Sequence, residues 1–348
     1  MNAPLAILLS LALPGEIAHQ ALPEAAKGHC AGVAAPLRAL ERALEQREWS
    51  EAEERLRSLQ ASHASCGRVV LGEARLLQAR GDASEAELRF TRASGLVPDD
   101  PLVHAYFAQY WLSRGQPARA DHLSALALSL DPECDIALVV QAQILNRRGR
   151  AREAREALDK ALRGEAPSAE ALYQLGVWSF RSKQQADAVG HFEKVVALRP
   201  RDARALDYLA LSLEALGEAE AAERAYRQAL AVNDGPFHDS FVDHNYGRFL
   251  LKQGRLQESR THLDRALALL PGSRTVYYER GKLNLAARDY PAARQDAERA
   301  LAVRDADGLV LDLQVYYLLA TVYARLGETE LARKYSELSR TTPIPDQD

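Results

Sequence analysis

Long apolar runs, paired cysteines and an excess of one charge are all missing from this chain. The longest apolar stretch, Ala3 to Leu13, is interrupted by Ser10 and stopped by Pro14 and Gly15. A bilayer-spanning helix needs about 20 residues, so no stable membrane span is expected. Only 3 cysteines occur, Cys30, Cys66 and Cys134, with no C-x-x-C pair, which excludes a disulfide-built scaffold. The formal net charge of −4 implies neither a nucleic-acid partner nor an acidic membrane surface. No P-loop, G-x-S-x-G, H-E-x-x-H or G-x-G-x-x-G is present, and the 9 histidines are scattered. The expectation is therefore not an enzyme: no catalytic residue, no cofactor and no metal site.

What is present is helix-forming and periodic. Apolar residues make up 47% and charged residues 26% of the 348 positions, as in ordinary folded proteins. Ala, Leu, Arg and Glu dominate, and all four favour helix. Alanine returns roughly every 34 residues, at Ala52, Ala86, Ala120, Ala154, Ala188 and Ala222. Four residues after each comes Leu56, Phe90, Ser124, Leu158, Phe192 and Tyr226. An earlier column is small: Ala74, Ala108, Ala142, Gly176 and Ala210. Seven residues after that column comes a turn glycine, at Gly81, Gly115, Gly149 and Gly217, with Lys183 as the exception. Proline closes several units, at Pro98, Pro132 and Pro200.

This beat predicts pairs of helices with apolar residues at i, i+3, i+4 and i+7. Small residues let two helices approach, and the large column fills the gap to the next pair. No pair can bury its apolar face alone, so stacking supplies the core. The phase gives about nine units, 33–66, 67–100, 101–134, 135–168, 169–202, 203–236, 240–273, 274–307 and 313–346, with insertions at 237–239 and 308–312.

The pattern resembles the tetratricopeptide repeat family, whose signature is W-x2-L-G-x2-Y, then A-x3-F, then P. Leu172, Leu175 and Gly176, followed by Ala188, Phe192 and Pro200, give the best unit, and Tyr316, Leu319, Ala320 and Tyr323 match the first half of the last. Units one and eight are degenerate, with Leu40 for the small residue and Ala297 for the aromatic. The resemblance covers 33–346 and implies an all-α, right-handed superhelical solenoid over 23–346. It also implies a role in protein interaction, with a concave groove lined by the first helix of each unit.

Transferred by phase, that groove would present Tyr173, Phe180, Arg181, His244, Arg248, Lys252, Tyr278, Lys282, Tyr317 and Arg325. The N-terminal half would present a more mixed lining: Leu71, Arg75, Leu102, Gln109, Val139 and Gln143. Aromatic rings supply area and bases supply charge-assisted donors. Such a lining suits an extended protein segment or peptide with acidic groups or a free C-terminal carboxylate. The same tyrosines can equally pack against neighbouring units, and the bases can form a solvated face. A Lys/Asn carboxylate clamp is absent.

Cys30 and Cys66 precede the first helices of consecutive units, beside His29 and His63. Free thiols, a disulfide and a zinc site all remain open from spacing alone; the disulfide would require an exported protein. The apolar Ala3–Leu13 stretch within residues 1–22 suits the core of a signal peptide. It lacks a preceding Lys or Arg, and Ala18-His19-Gln20 is its nearest cleavage site. A periplasmic or secreted protein, or a cytoplasmic one with a short apolar cap, are both open. Two functions from different classes follow: an adaptor binding a partner in the groove, or an assembly component that self-associates through its ends or convex face.

Overall fold

The computed structural model describes residues 30, 32–164, 167–233, 238–303 and 310–343. The possible signal segment 1–22, residue 237 of the first insertion and residues 308–309 of the second lie outside the described residues. Among the described residues there are eighteen α-helices and no strand. They form nine antiparallel pairs, in two compact units that divide between Asp202 and Ala203.

The first unit holds five pairs: α1 (Ala34–Glu45) with α2 (Trp49–His63), α3 (Gly67–Arg80) with α4 (Ala83–Leu96), α5 (Pro101–Ser113) with α6 (Pro117–Leu130), α7 (Asp135–Arg147) with α8 (Ala151–Ala161), and α9 (Ala169–Arg181) with α10 (Gln185–Leu198). The second holds four: α11 (Ala203–Leu216) with α12 (Ala219–Val232), α13 (Ser240–Lys252) with α14 (Leu256–Leu269), α15 (Arg274–Ala286) with α16 (Tyr290–Ala302), and α17 (Asp312–Leu326) with α18 (Thr329–Thr341). The ninth pair begins at Asp312, one residue before the interval read from phase.

The columns explain the packing. All six alanines of the main column are 0% exposed, as are Phe90, Ser124, Phe192 and Tyr226 of the large column. Ser124 sits where a large side chain was expected and satisfies its hydroxyl by donating to the Ala120 carbonyl at 2.7 Å, as a buried polar group must. Gly176 is needed for a close approach: a Cβ there would lie 2.7 Å from the Phe192 ring. Several helix starts are capped by side chains: Asp100, Ser168, Asp239, Ser273 and Asp289 each accept from a backbone N–H of the following turn.

The turn column carries the left-handed conformation in every pair of both units. Glycine holds it six times, from Gly81 (φ 89) to Gly327 (φ 81), and Arg47 (φ 57), Lys183 (φ 58) and Arg288 (φ 62) hold it elsewhere. A side chain there costs about 1–2 kcal/mol, so the three basic positions are less favourable than their glycine counterparts.

Candidate functional site

Successive first helices touch within each unit: α1 with α3, α3 with α5, α5 with α7, α7 with α9, and in the second unit α11 with α13, α13 with α15, α15 with α17. Among the described residues no two successive second helices pack to a comparable extent. First helices therefore line the inner side of each unit. The phase-derived groove residues all lie on first helices: Tyr173, Phe180 and Arg181 on α9, and the remaining seven on α13, α15 and α17.

Their roles differ. Tyr173 is half-buried and meets the Phe192 ring edge-on, centroids 5.8 Å apart. It holds α9 against α10. Phe180 is half-buried too, and Arg181 is exposed. In the second unit His244 is only 7% exposed. Tyr278 is half-buried, with the Lys282 ammonium 5.3 Å from its ring centroid. Tyr317 stands out at 69% exposed, and Arg325 is exposed with no ion pair among the described residues.

The expected basic lining is largely neutralised from within. Glu214 on α11 takes Arg248 at 3.0 Å and Lys252 at 2.6 Å. Glu279 takes Lys282 at 2.8 Å. Phase by itself does not single out these carboxylates, because it assigns positions to side chains and not their partners. For Glu214 the signal available was opposite charge one unit apart on adjacent first helices, and for Glu279 the i,i+3 spacing to Lys282.

A further group on a first helix, Asp207, went unread. Asp207 on α11 is 4% exposed and accepts from Asn245 Nδ2 at 2.7 Å through one oxygen; its other oxygen has no partner. Burial pushes its carboxyl up to about 8, against the pull of the Asn245 hydrogen bond. Burial likewise pushes the His244 imidazole down to about 4, and its Nε2 has no partner. At neutral pH both groups are thus mostly uncharged. Between α13 and α14, buried Asp243 bonds to His262 Nδ1 at 2.7 Å and His238 Nε2 at 3.0 Å.

Cys30 and Cys66 form a disulfide with their Cα atoms 5.1 Å apart, and Cys134 is a free, buried thiol. Burial pushes that thiol up to about 12, which leaves it protonated and unreactive. Among the described residues no group of three or more His, Cys, Asp or Glu could hold a metal ion. No helix of the described residues is long and apolar enough to cross a membrane.

Known proteins share this architecture. A tetratricopeptide repeat profile matches residues 139–203, 180–239, 244–309 and 278–340, more than half of the chain. The probable biofilm formation methyltransferase WspC of Pseudomonas aeruginosa PAO1 is 37% identical over 81 residues, 23% of this chain and 19% of that protein. The chain thus spans about a fifth of that relative. The crystal structure of the APC/C hetero-tetramer Cut9–Hcn1 superposes with a TM-score of 0.57 at 15% identity, over 78% of this chain and 59% of that one. The human IFIT1 dimer with PPP-AAAA gives 0.52 at 21% identity, over 85% and 68%. At these identities both are likenesses of fold. With the profile running through both units and the alanine columns buried in phase, the chain belongs to the tetratricopeptide repeat family.

Proposed function

We propose that this protein is a non-catalytic scaffold that holds a protein or peptide partner along the first-helix face of its second unit. The observation that carries this is Tyr317. A large aromatic 69% exposed on an inner face, in register with Tyr278 one pair earlier, supplies rigid contact area of the kind that dominates binding energetics. Arg325, two turns further along α17 and without an ion pair among the described residues, adds a guanidinium for an acidic group or a chain-terminal carboxylate. Because Arg248, Lys252 and Lys282 already have carboxylate partners, shape and aromatic contact outweigh net charge in this reading.

The test is capture of partners by the full chain, followed by affinity measurement with Tyr278→Ala/Tyr317→Ala. Loss of two aromatic anchors should weaken binding at least tenfold, about 1.4 kcal/mol. Equal affinity of the double variant would end the proposal.

A second reading, self-association, is favoured by the last helix. No residue of α18 is buried, and Leu331, Ala332, Tyr335 and Leu338 are half-buried. Sedimentation of pure protein separates the two: a concentration-dependent oligomer supports assembly, a monomer supports the adaptor. For localisation we propose export to an oxidising compartment. The Cys30–Cys66 pairing supports this, as does the apolar Ala3–Leu13 stretch.

A further inference from the structure

The turns that join the two helices of a pair differ sharply in charge. In the third, fourth and fifth pairs they read Ser113-Arg114-Gly115-Gln116, Arg147-Arg148-Gly149-Arg150 and Arg181-Ser182-Lys183-Gln184. Six basic residues stand there and no acidic one. At the same four positions five of the other six pairs carry an acid: Glu45 and Glu48, then Asp82, Glu218, Asp289 and Glu328. The seventh pair has Lys252 and Arg255 without an acid, but Glu214 and Glu223 take those two bases.

The three basic turns adjoin. Within the first unit α5, α7 and α9 touch in succession, and the turns follow their C-terminal ends. Arg148 reaches Asp121 of α6 at 2.7 Å, which ties the fourth turn to the helix that leaves the third. Arg150 takes Glu153 of its own pair. The other four bases, Arg114, Arg147, Arg181 and Lys183, are exposed and have no ion pair among the described residues. Asp121 and Glu153 are thereby engaged, and Asp187 near the start of α10 is the remaining acid at the helix starts beside these turns. Uncompensated positive charge is therefore concentrated on one edge of a chain whose net charge is −4.

We propose that this edge of the first unit is a docking surface for an acidic segment of another protein, rich in aspartate and glutamate. Five of the six bases are arginines, whose planar forks take a carboxylate through two parallel hydrogen bonds. Neighbouring helices pack about 8–10 Å apart, so the three turns span about 20 Å, roughly six residues of extended chain. Two features speak against other polyanions. The turns hold no aromatic residue, and Trp111 just before them is 9% exposed with the Arg119 guanidinium 4.2 Å over its ring; single-stranded nucleic acid is held by open rings on which bases stack. Nor do the turns hold an apolar side chain that could enter a bilayer. The inference is independent of whether the second unit holds a partner.

Fluorescence anisotropy of the full chain with a labelled oligoglutamate of about eight residues tests it. The chain should bind oligoglutamate and not oligoglutamine of the same length, and the affinity should fall as salt rises. Arg114→Gln/Arg147→Gln/Lys183→Gly should weaken binding by about tenfold or more. All three side chains are exposed, and Lys183→Gly gives a left-handed turn, φ 58, the residue that six pairs use, so the circular dichroism should not change. Arg224→Gln/Arg265→Gln/Arg299→Gln removes the same charge from exposed positions of α12, α14 and α16 and should alter the affinity less than about twofold. Equal loss in the two triple variants, or no binding by the unsubstituted chain, overturns the proposal. So does tighter binding of phosphatidylglycerol vesicles or of a single-stranded oligonucleotide that the first triple variant abolishes.

Discussion

Two glycines in one helix pair make opposite predictions from the same substitution. Gly176 lies in α9 and Gly190 in α10. Intrinsic propensity says that Gly→Ala in a helix interior stabilises by about 1 kcal/mol. At Gly190 a new Cβ meets nothing within 4 Å, so Gly190→Ala should realise that gain. At Gly176 the Cβ would sit 2.7 Å from two ring carbons of Phe192. Phe192 is 0% exposed and fixed on its other side by Tyr173, so the ring cannot swing away. Overpacking of this kind costs about 1–3 kcal/mol. Set against the propensity gain, Gly176→Ala should come out destabilising by up to about 2 kcal/mol. Urea unfolding followed by circular dichroism reads both signs. Phe192→Leu in the Gly176→Ala background should recover part of the loss by removing the clashing ring edge. If Gly176→Ala stabilises as much as Gly190→Ala, the close approach of α9 and α10 at this point is wrong.

Two further outcomes follow from the same reasoning. The Cys30–Cys66 disulfide closes a loop with a sequence separation of 36, worth about 4 kcal/mol by chain entropy. Because a stack is held pair by pair, reduction should raise hydrogen exchange in α1 and α2 and leave the second unit unchanged; identical exchange with and without reductant would refute it. Asp207 and His244 give a pH signature. The carboxyl pushed up to about 8 stays protonated in the folded chain while the unfolded carboxyl, near 3.9, has ionised. Stability is therefore lost as pH rises from about 4 to 8. His244, pushed down to about 4, acts oppositely between about 4 and 6.5, where stability grows with pH. The two offset each other up to about 6.5, and a decline should appear from there to about 8. Asp207→Asn should abolish that decline in equilibrium unfolding; a decline of equal slope in the variant would refute the assignment.

The site was only partly legible in the sequence. Phase alone put Tyr278 and Tyr317 at matching positions of successive first helices. It could not distinguish Tyr173, packed on Phe192, from Tyr317, 69% exposed, because exposure depends on what the neighbouring pair contributes. Nor did it foresee that Glu214 would take Arg248 and Lys252, since that pairing runs between adjacent first helices.

By itself the sequence determined the helix pairs, their number and the family, because a solenoid is built from contacts between near neighbours and these are written into the repeat. Only the tertiary structure decided where the chain divides into units, that Cys30 meets Cys66, and that Arg47 reaches Asp202. The cysteine contact depends on how two consecutive pairs dock, and the other two on many small rotations accumulating along the stack. No local pattern of residues encodes their sum.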